Sequence, residues 1–141
     1  MLKFRVMANL HLADFAFLRM WPRRLFGKQQ NGRLVIKLVV QELQRPGVYV
    51  LYKGDEPYYV GKATRNLFGR LHSHSNKVTD EYHAHWDHFS AFALEPGVTN
   101  TATKLAEIEA ILIAAMPRAT NRSKPRFKIA RIPKSLLSPG E

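Results

Sequence analysis

A single domain mixing α and β structure is what this sequence predicts, on three observations. Two aromatic, β-branched runs, "VYVLY" and "PYYVG", bracket Lys53-Gly54-Asp55-Glu56 in the manner of a hairpin. "HFSAFALEPG" reads as a further strand that ends in a Pro-Gly turn. "NTATKLAEIEAILIAAM" carries the strongest helical pattern in the chain. A length of 141 residues suits one domain with its own core, and 45% hydrophobic against 23% charged residues indicates a globular chain rather than a disordered one.

The elements follow in order. "MLKFRVMANLHLADFAFLRM" starts basic and turns apolar, but His11 and Asp14 interrupt the apolar run and no small-residue cleavage site follows. The expectation is an amphipathic helix with Leu10, Ala13 and Leu18 on its stripe, ending before Trp21-Pro22, in a soluble cytoplasmic chain. Met7 is an alternative start. "RRLFGKQQNGR" reads as a basic, turn-rich connector. "LVIKLVVQELQ" is ambiguous: its β-branched density favours a strand and its Gln-Glu-Leu-Gln end a helix, closed by Arg45-Pro46-Gly47.

In the hairpin, a three-residue loop at Lys53 to Asp55 puts Tyr52 opposite Glu56 and Tyr49 opposite Tyr59, on one face. A two-residue loop at Gly54-Asp55 instead turns the two phenols to opposite faces. Gly61 ends the second strand, and "KATRNLFGRLHSH" has helical spacing, with Leu67 and Leu71 on one side and Asn66, Arg70 and His74 on another. The late helix has capping candidates from Thr99 to Thr103 and a stop at Pro117. No internal repeat is present.

The formal charge is +11, and its distribution is informative. Residues 1–45 carry net +7, residues 46–117 net −2 and residues 118–141 net +6. Basic arms around a near-neutral centre suit a polyanion laid across that centre, with nucleic acid ahead of an anionic membrane. With no cysteine, thiol catalysis, disulfides and cysteine-based zinc sites are excluded.

Several side chains carry chemistry. Glu107 has Thr103, Lys104, Ala110 and Ile111 as helical neighbours, so it reads as a surface residue able to pair with Lys104. Glu109 has Leu105, Ala106, Leu112 and Ile113, which places a carboxylate on an apolar face, costly unless it is paired, binds metal or lines a cleft. The plain alternative is a border glutamate whose tip reaches water. Arg70 and His74 are one turn apart and together could grip a phosphate. Lys62, expected at the start of their helix, puts a cation beside backbone N–H groups.

The order of these residues resembles the GIY-YIG nuclease family. Its two name tripeptides read Gly47-Val48-Tyr49 and Tyr59-Val60-Gly61, with nine residues between Tyr49 and Tyr59. "YVGKATRNLFGRL" is similar to the family's second motif running into its arginine helix, giving Arg70, with Arg65 a poorer candidate. "EAILIAAMPRATN" resembles the glutamate helix and its link to asparagine, giving Glu109 and Asn121. His74 resembles a histidine of some restriction-enzyme members. The resemblance covers roughly residues 46–126, flanked by a basic extension at 1–45 packed on the domain and a basic tail at 127–141.

The resemblance implies a small three-stranded antiparallel sheet flanked by helices, with both tyrosines in one active site. It implies an endonuclease that hydrolyses DNA phosphodiesters to a 5′-phosphate and a 3′-hydroxyl around a single divalent metal, magnesium with manganese as substitute, held by Glu109. Tyr49 would activate water directly or as a phenolate, its usual pKa of about 10 lowered by Lys62 and Arg70. Arg70 would also stabilise charge on the phosphate, Tyr59 would position phosphate or water, His74 would assist proton transfer, and Asn121 would fix an oxygen. Lys62, Arg65, Arg70, Arg118, Arg122, Lys124, Arg126 and Lys128 are the candidate contacts to DNA, double-stranded or branched. Two other readings compete. One is a zinc site built from His72, His74, His83, His85 and His88; the other is a non-catalytic DNA-binding module of the same fold.

Overall fold

The computed structural model describes residues 10–77, 85–116 and 130–137. Strand β1 (Phe15–Pro22) is followed by a short hairpin, β2 (Gln29–Gln30) and β3 (Arg33–Leu34), and a single helical turn, α1 (Val35–Val39). Strands β4 (Gly47–Lys53) and β5 (Glu56–Ala63), helix α2 (Leu67–Asn76), strand β6 (His88–Leu94) and helix α3 (Thr101–Ala115) complete the body. The strands assemble as an antiparallel sheet in the order β1-β6-β4-β5.

The sheet therefore has four strands rather than the expected three, and the extra strand comes from the segment that reads as an amphipathic helix. "FAFLRMW" is apolar on both alternating faces, so neither period is decisive locally. Long-range pairing decides it. Phe17 lies opposite Phe92 with their rings stacked at 4.8 Å, and Leu18 is buried. A register shift between Leu18 and Trp21 contains Met20 at φ 51°, whose N–H donates to Ser90 Oγ at 3.0 Å. Asp14, which interrupts the apolar run, anchors the strand's start. Its carbonyl accepts from Glu95 N at 2.8 Å, and its carboxylate accepts from Lys104 Nζ at 3.2 Å. Lys104 thus pairs with Asp14, not with Glu107, which is exposed.

Central strand β4 is buried from Gly47 to Leu51 because both sheet faces are covered. One face, with Tyr49, Leu51, Phe89 and Ala91, packs under Leu67, Phe68 and Leu71 of α2 together with Phe26, Ile36 and Leu43. The other, with Val48, Val50, Val60 and Leu94, packs under Leu105, Ile108 and Leu112 of α3. The ambiguous 34–44 segment resolves as helical, α1 followed by a 3-10 turn at Gln41–Gln44, since Ile36 and Leu43 must both reach one core. Asn66 caps α2, its Oδ1 accepting from Gly69 N at 2.7 Å. Among the described residues, no helix is long and apolar enough to cross a membrane.

Candidate active site

Of the two loops open to the β4–β5 hairpin, the shorter one forms. Lys53 lies opposite Glu56, so the turn has two residues, Gly54 and Asp55, the arrangement that should part the phenols. A bulge restores them. Leu51 faces Tyr59 while Tyr52 faces Pro57, leaving Tyr58 as the extra residue, and from there Tyr49 falls opposite Gly61. Tyr49 and Leu51 share a face, and so do their partners Gly61 and Tyr59. The two phenols are diagonal neighbours, ring centroids 6.2 Å apart.

Both tripeptide glycines have steric reasons. A Cβ on Gly61 would overlap the Tyr49 ring and hydroxyl, so the phenol lies directly over bare backbone. A Cβ on Gly47 would overlap Phe92 O and Leu67 Cδ1 where β4 meets β6 and α2. Tyr49 is fully buried as a result, and His74 from α2 is 3% exposed above it. Tyr49 Oη and His74 Nε2 are hydrogen-bonded at 2.6 Å, with the imidazole also 5.8 Å from the Tyr59 ring. Trp86 Nε1 donates to His74 O at 3.1 Å and fixes the backbone that carries the imidazole. That contact joins residues twelve apart and has no local sequence signal.

Arg70 lies within electrostatic reach of both phenols. Burial pushes the Tyr49 hydroxyl above its ordinary 10.0; the neighbouring Tyr59 adds to this and Arg70 opposes it without prevailing. Of the protein's own groups, desolvation thus outweighs the cation that would favour a phenolate. Tyr59 is raised in the same way, again chiefly by burial; Arg70 opposes this and Glu109 adds to it. Burial also lifts the Glu109 carboxyl above 4.5, with Lys62 opposing.

Lys62 sits within β5, not at a helix start, and shares the Val60 face covered by α3, where Glu109 projects. The phenols and imidazole are on the other face, and Tyr59, on edge strand β5, is where the two groups meet. Beside them opens a cleft of about 310 Å³ lined by Lys62, Thr64, Arg65, Asn66, Gly69 and Arg70. Asn121, Arg118, Arg122, Lys124, Arg126 and Lys128 lie outside the described residues, as does His83. Among the described residues, no group of three or more His, Cys, Asp or Glu is placed to hold a metal. His72 instead stacks on Phe68 at 5.1 Å, and His88 pairs with Asp87.

Two phenols, one bonded to an imidazole, with cations on a cleft and a half-buried carboxylate at the sheet edge, can move protons beside a bound anion. No family model matches the chain, and no curated protein matches it. Two solved structures are similar to it, both of the GIY-YIG N-terminal endonuclease domain of UvrC from Thermotoga maritima, as tyrosine-to-phenylalanine point mutants bound to the catalytic divalent cation. They are 25% and 26% identical, each with a TM-score of 0.46, covering 62% of this chain and 97% of that domain.

Proposed function

We propose that this chain is a divalent-metal-dependent endonuclease hydrolysing phosphodiester bonds in DNA, double-stranded or branched, in the cytoplasm. The observation that carries the reading is the 2.6 Å contact of Tyr49 Oη with His74 Nε2, made beside Tyr59 and Arg70. A buried phenol that stays neutral is a poor phenolate base but a good relay, because it accepts one proton as it passes on another. With the imidazole proton on Nδ1, the Tyr49 hydroxyl donates to Nε2 and keeps lone pairs able to accept a proton.

Water attacks phosphorus and gives its proton to Tyr49 Oη, while the Tyr49 proton moves to His74 Nε2. The bond from phosphorus to the 3′ oxygen breaks, and that oxygen takes a proton from solvent, leaving a 5′-phosphate and a 3′-hydroxyl. Arg70 stabilises charge growing on the phosphate, Tyr59 orients the phosphate or the water, and Lys62 and Arg65 hold the strand in the cleft. Asn121 would fix a substrate or backbone oxygen.

Glu109 fits a divalent cation on donor chemistry. Its carboxylate is desolvated and only partly offset by Lys62, and magnesium takes one or two carboxylates while keeping several waters. Held by Glu109, magnesium or manganese would supply positive charge for the leaving oxygen. The deciding experiment incubates purified protein with a panel of nicked, single-stranded, duplex and branched DNA in Mg²⁺ or Mn²⁺. Cleavage that Glu109→Ala abolishes while DNA binding persists is expected; binding without cleavage by the wild type would leave a non-catalytic DNA-binding module.

A further inference from the structure

One exposed element has no part in the chemistry above. From Phe15 to Gln41 the sequence contains six Arg and Lys and no acid, and in the middle of that stretch β2 and β3 form a small hairpin. Its turn is Asn31-Gly32, with φ of 53° and 75°, the doubly positive pair of a type I′ turn. Residues 27–33 are all exposed, and a Cβ added at Gly27 or Gly32 would meet nothing within 4 Å, so the hairpin stands clear of the body.

Its root is fixed. Phe26 and Ile36 are buried on either side, and Val35 N donates to Lys28 O at 3.0 Å. Arg23 fastens the preceding turn to the end of α2, donating to Ser75 O at 2.7 Å and Trp86 O at 3.2 Å with its guanidinium 5.1 Å over the indole. The hairpin is thus braced on the helix that carries Arg70 and His74, on the phenols' side of the sheet.

Gln30 and Arg33 are cross-strand partners and share a face beside Asn31 at the tip. Arg24, Lys28 and Arg33 make no ion pair among the described residues. Phosphate contacts alone would require only the cations. Side-chain amides offer a donor and an acceptor each, the pairing that adenine presents, while arginine matches guanine. A two-stranded ribbon has the width of the major groove. We infer that the Gln29–Leu34 hairpin enters the DNA major groove next to the cut and reads base edges through Gln30, Asn31 and Arg33, with Arg24 and Lys28 on flanking phosphates. This rests on DNA being the substrate and names the element that selects its sequence.

The test selects a library of randomised duplex DNA by binding to the full chain without divalent metal, comparing wild type, Gln30→Ala/Asn31→Gly and Arg24→Ala/Lys28→Ala. Glycine at 31 keeps the turn, and all these positions are exposed, so folding is retained. The wild type should enrich defined base pairs, and the amide variant should lose about tenfold of that discrimination with its salt dependence unchanged. The charge variant should bind every sequence more weakly while keeping the preference. No enrichment by the wild type, or discrimination in the amide variant as strong as in the wild type, overturns the inference. Because the readout is binding, absent cleavage bears on the nuclease reading alone.

Discussion

Tyr49 and His74, twenty-five residues apart, are joined by a hydrogen bond between two buried side chains. The Tyr49 hydroxyl also lies within hydrogen-bonding reach of Arg70 and Tyr59, so the pair belongs to a larger polar cluster.

Tyr49→Phe removes the relay and the hydroxyl bonded to Nε2. Cleavage under single-turnover conditions should fall by about 10²–10⁴-fold, while duplex binding by fluorescence anisotropy stays within twofold of wild type, as general acid–base groups act on the chemical step. Stability should drop by about 1 kcal/mol in denaturant unfolding, the usual net worth of one buried hydrogen bond.

Gly61→Ala should be worse for the fold than Tyr49→Phe, since the added methyl occupies the space of the Tyr49 phenol. A loss of about 1–3 kcal/mol is expected in urea denaturation, together with loss of cleavage. Gly27→Ala, where the methyl meets nothing, should lie within about 0.5 kcal/mol of wild type by the same measurement.

Glu109 gives a pH-dependent expectation whose sign follows from its raised carboxyl. The folded state holds this proton more tightly than the unfolded chain, so ionisation costs stability as pH rises from about 4.5 through the folded value. Metal-free Glu109→Gln should therefore melt at or above the wild-type temperature at pH 7, with the gap closing below pH 4.5. Mg²⁺ should raise the melting temperature of the wild type and not of the variant. Cleavage should fail on acidification at a higher pH than an ordinary glutamate would cause.

Lys104 is 9% exposed and Asp14 20% exposed in their ion pair, which ties the start of β1 to α3. Asp14→Ala leaves a nearly buried ammonium unpaired and should cost about 2 kcal/mol, whereas Lys104→Met, which keeps the apolar stem, should cost less. A double-mutant cycle by chemical denaturation measures the coupling.

Much of the site was legible because its residues announce themselves by type and order. The two Gly-Val-Tyr and Tyr-Val-Gly runs, Arg70, His74 and Glu109 could be named without coordinates, and Tyr49, Tyr59 and His74 do converge. The sheet's fourth strand was not legible, since Phe15 to Trp21 owes its extended form to β6, more than sixty residues away. The upward shift of the Tyr49 hydroxyl was not legible, because cations can be counted in a sequence and desolvation cannot. Lys104 found Asp14 rather than its helical neighbour for the same reason: burial selects partners across the fold.

The single unmatched residue between Leu51 and Tyr52 on one strand and Pro57 and Tyr59 on the other has a further consequence. It makes loop length a stereochemical parameter of the hydrolytic centre: lengthening or shortening the 54–58 connection by one amino acid would rotate the second aromatic ring through the sheet, toward the lysine's side. Grafts and deletions at this tip, ordinarily the most forgiving spot on a β-ribbon, are here edits to the reaction chamber itself.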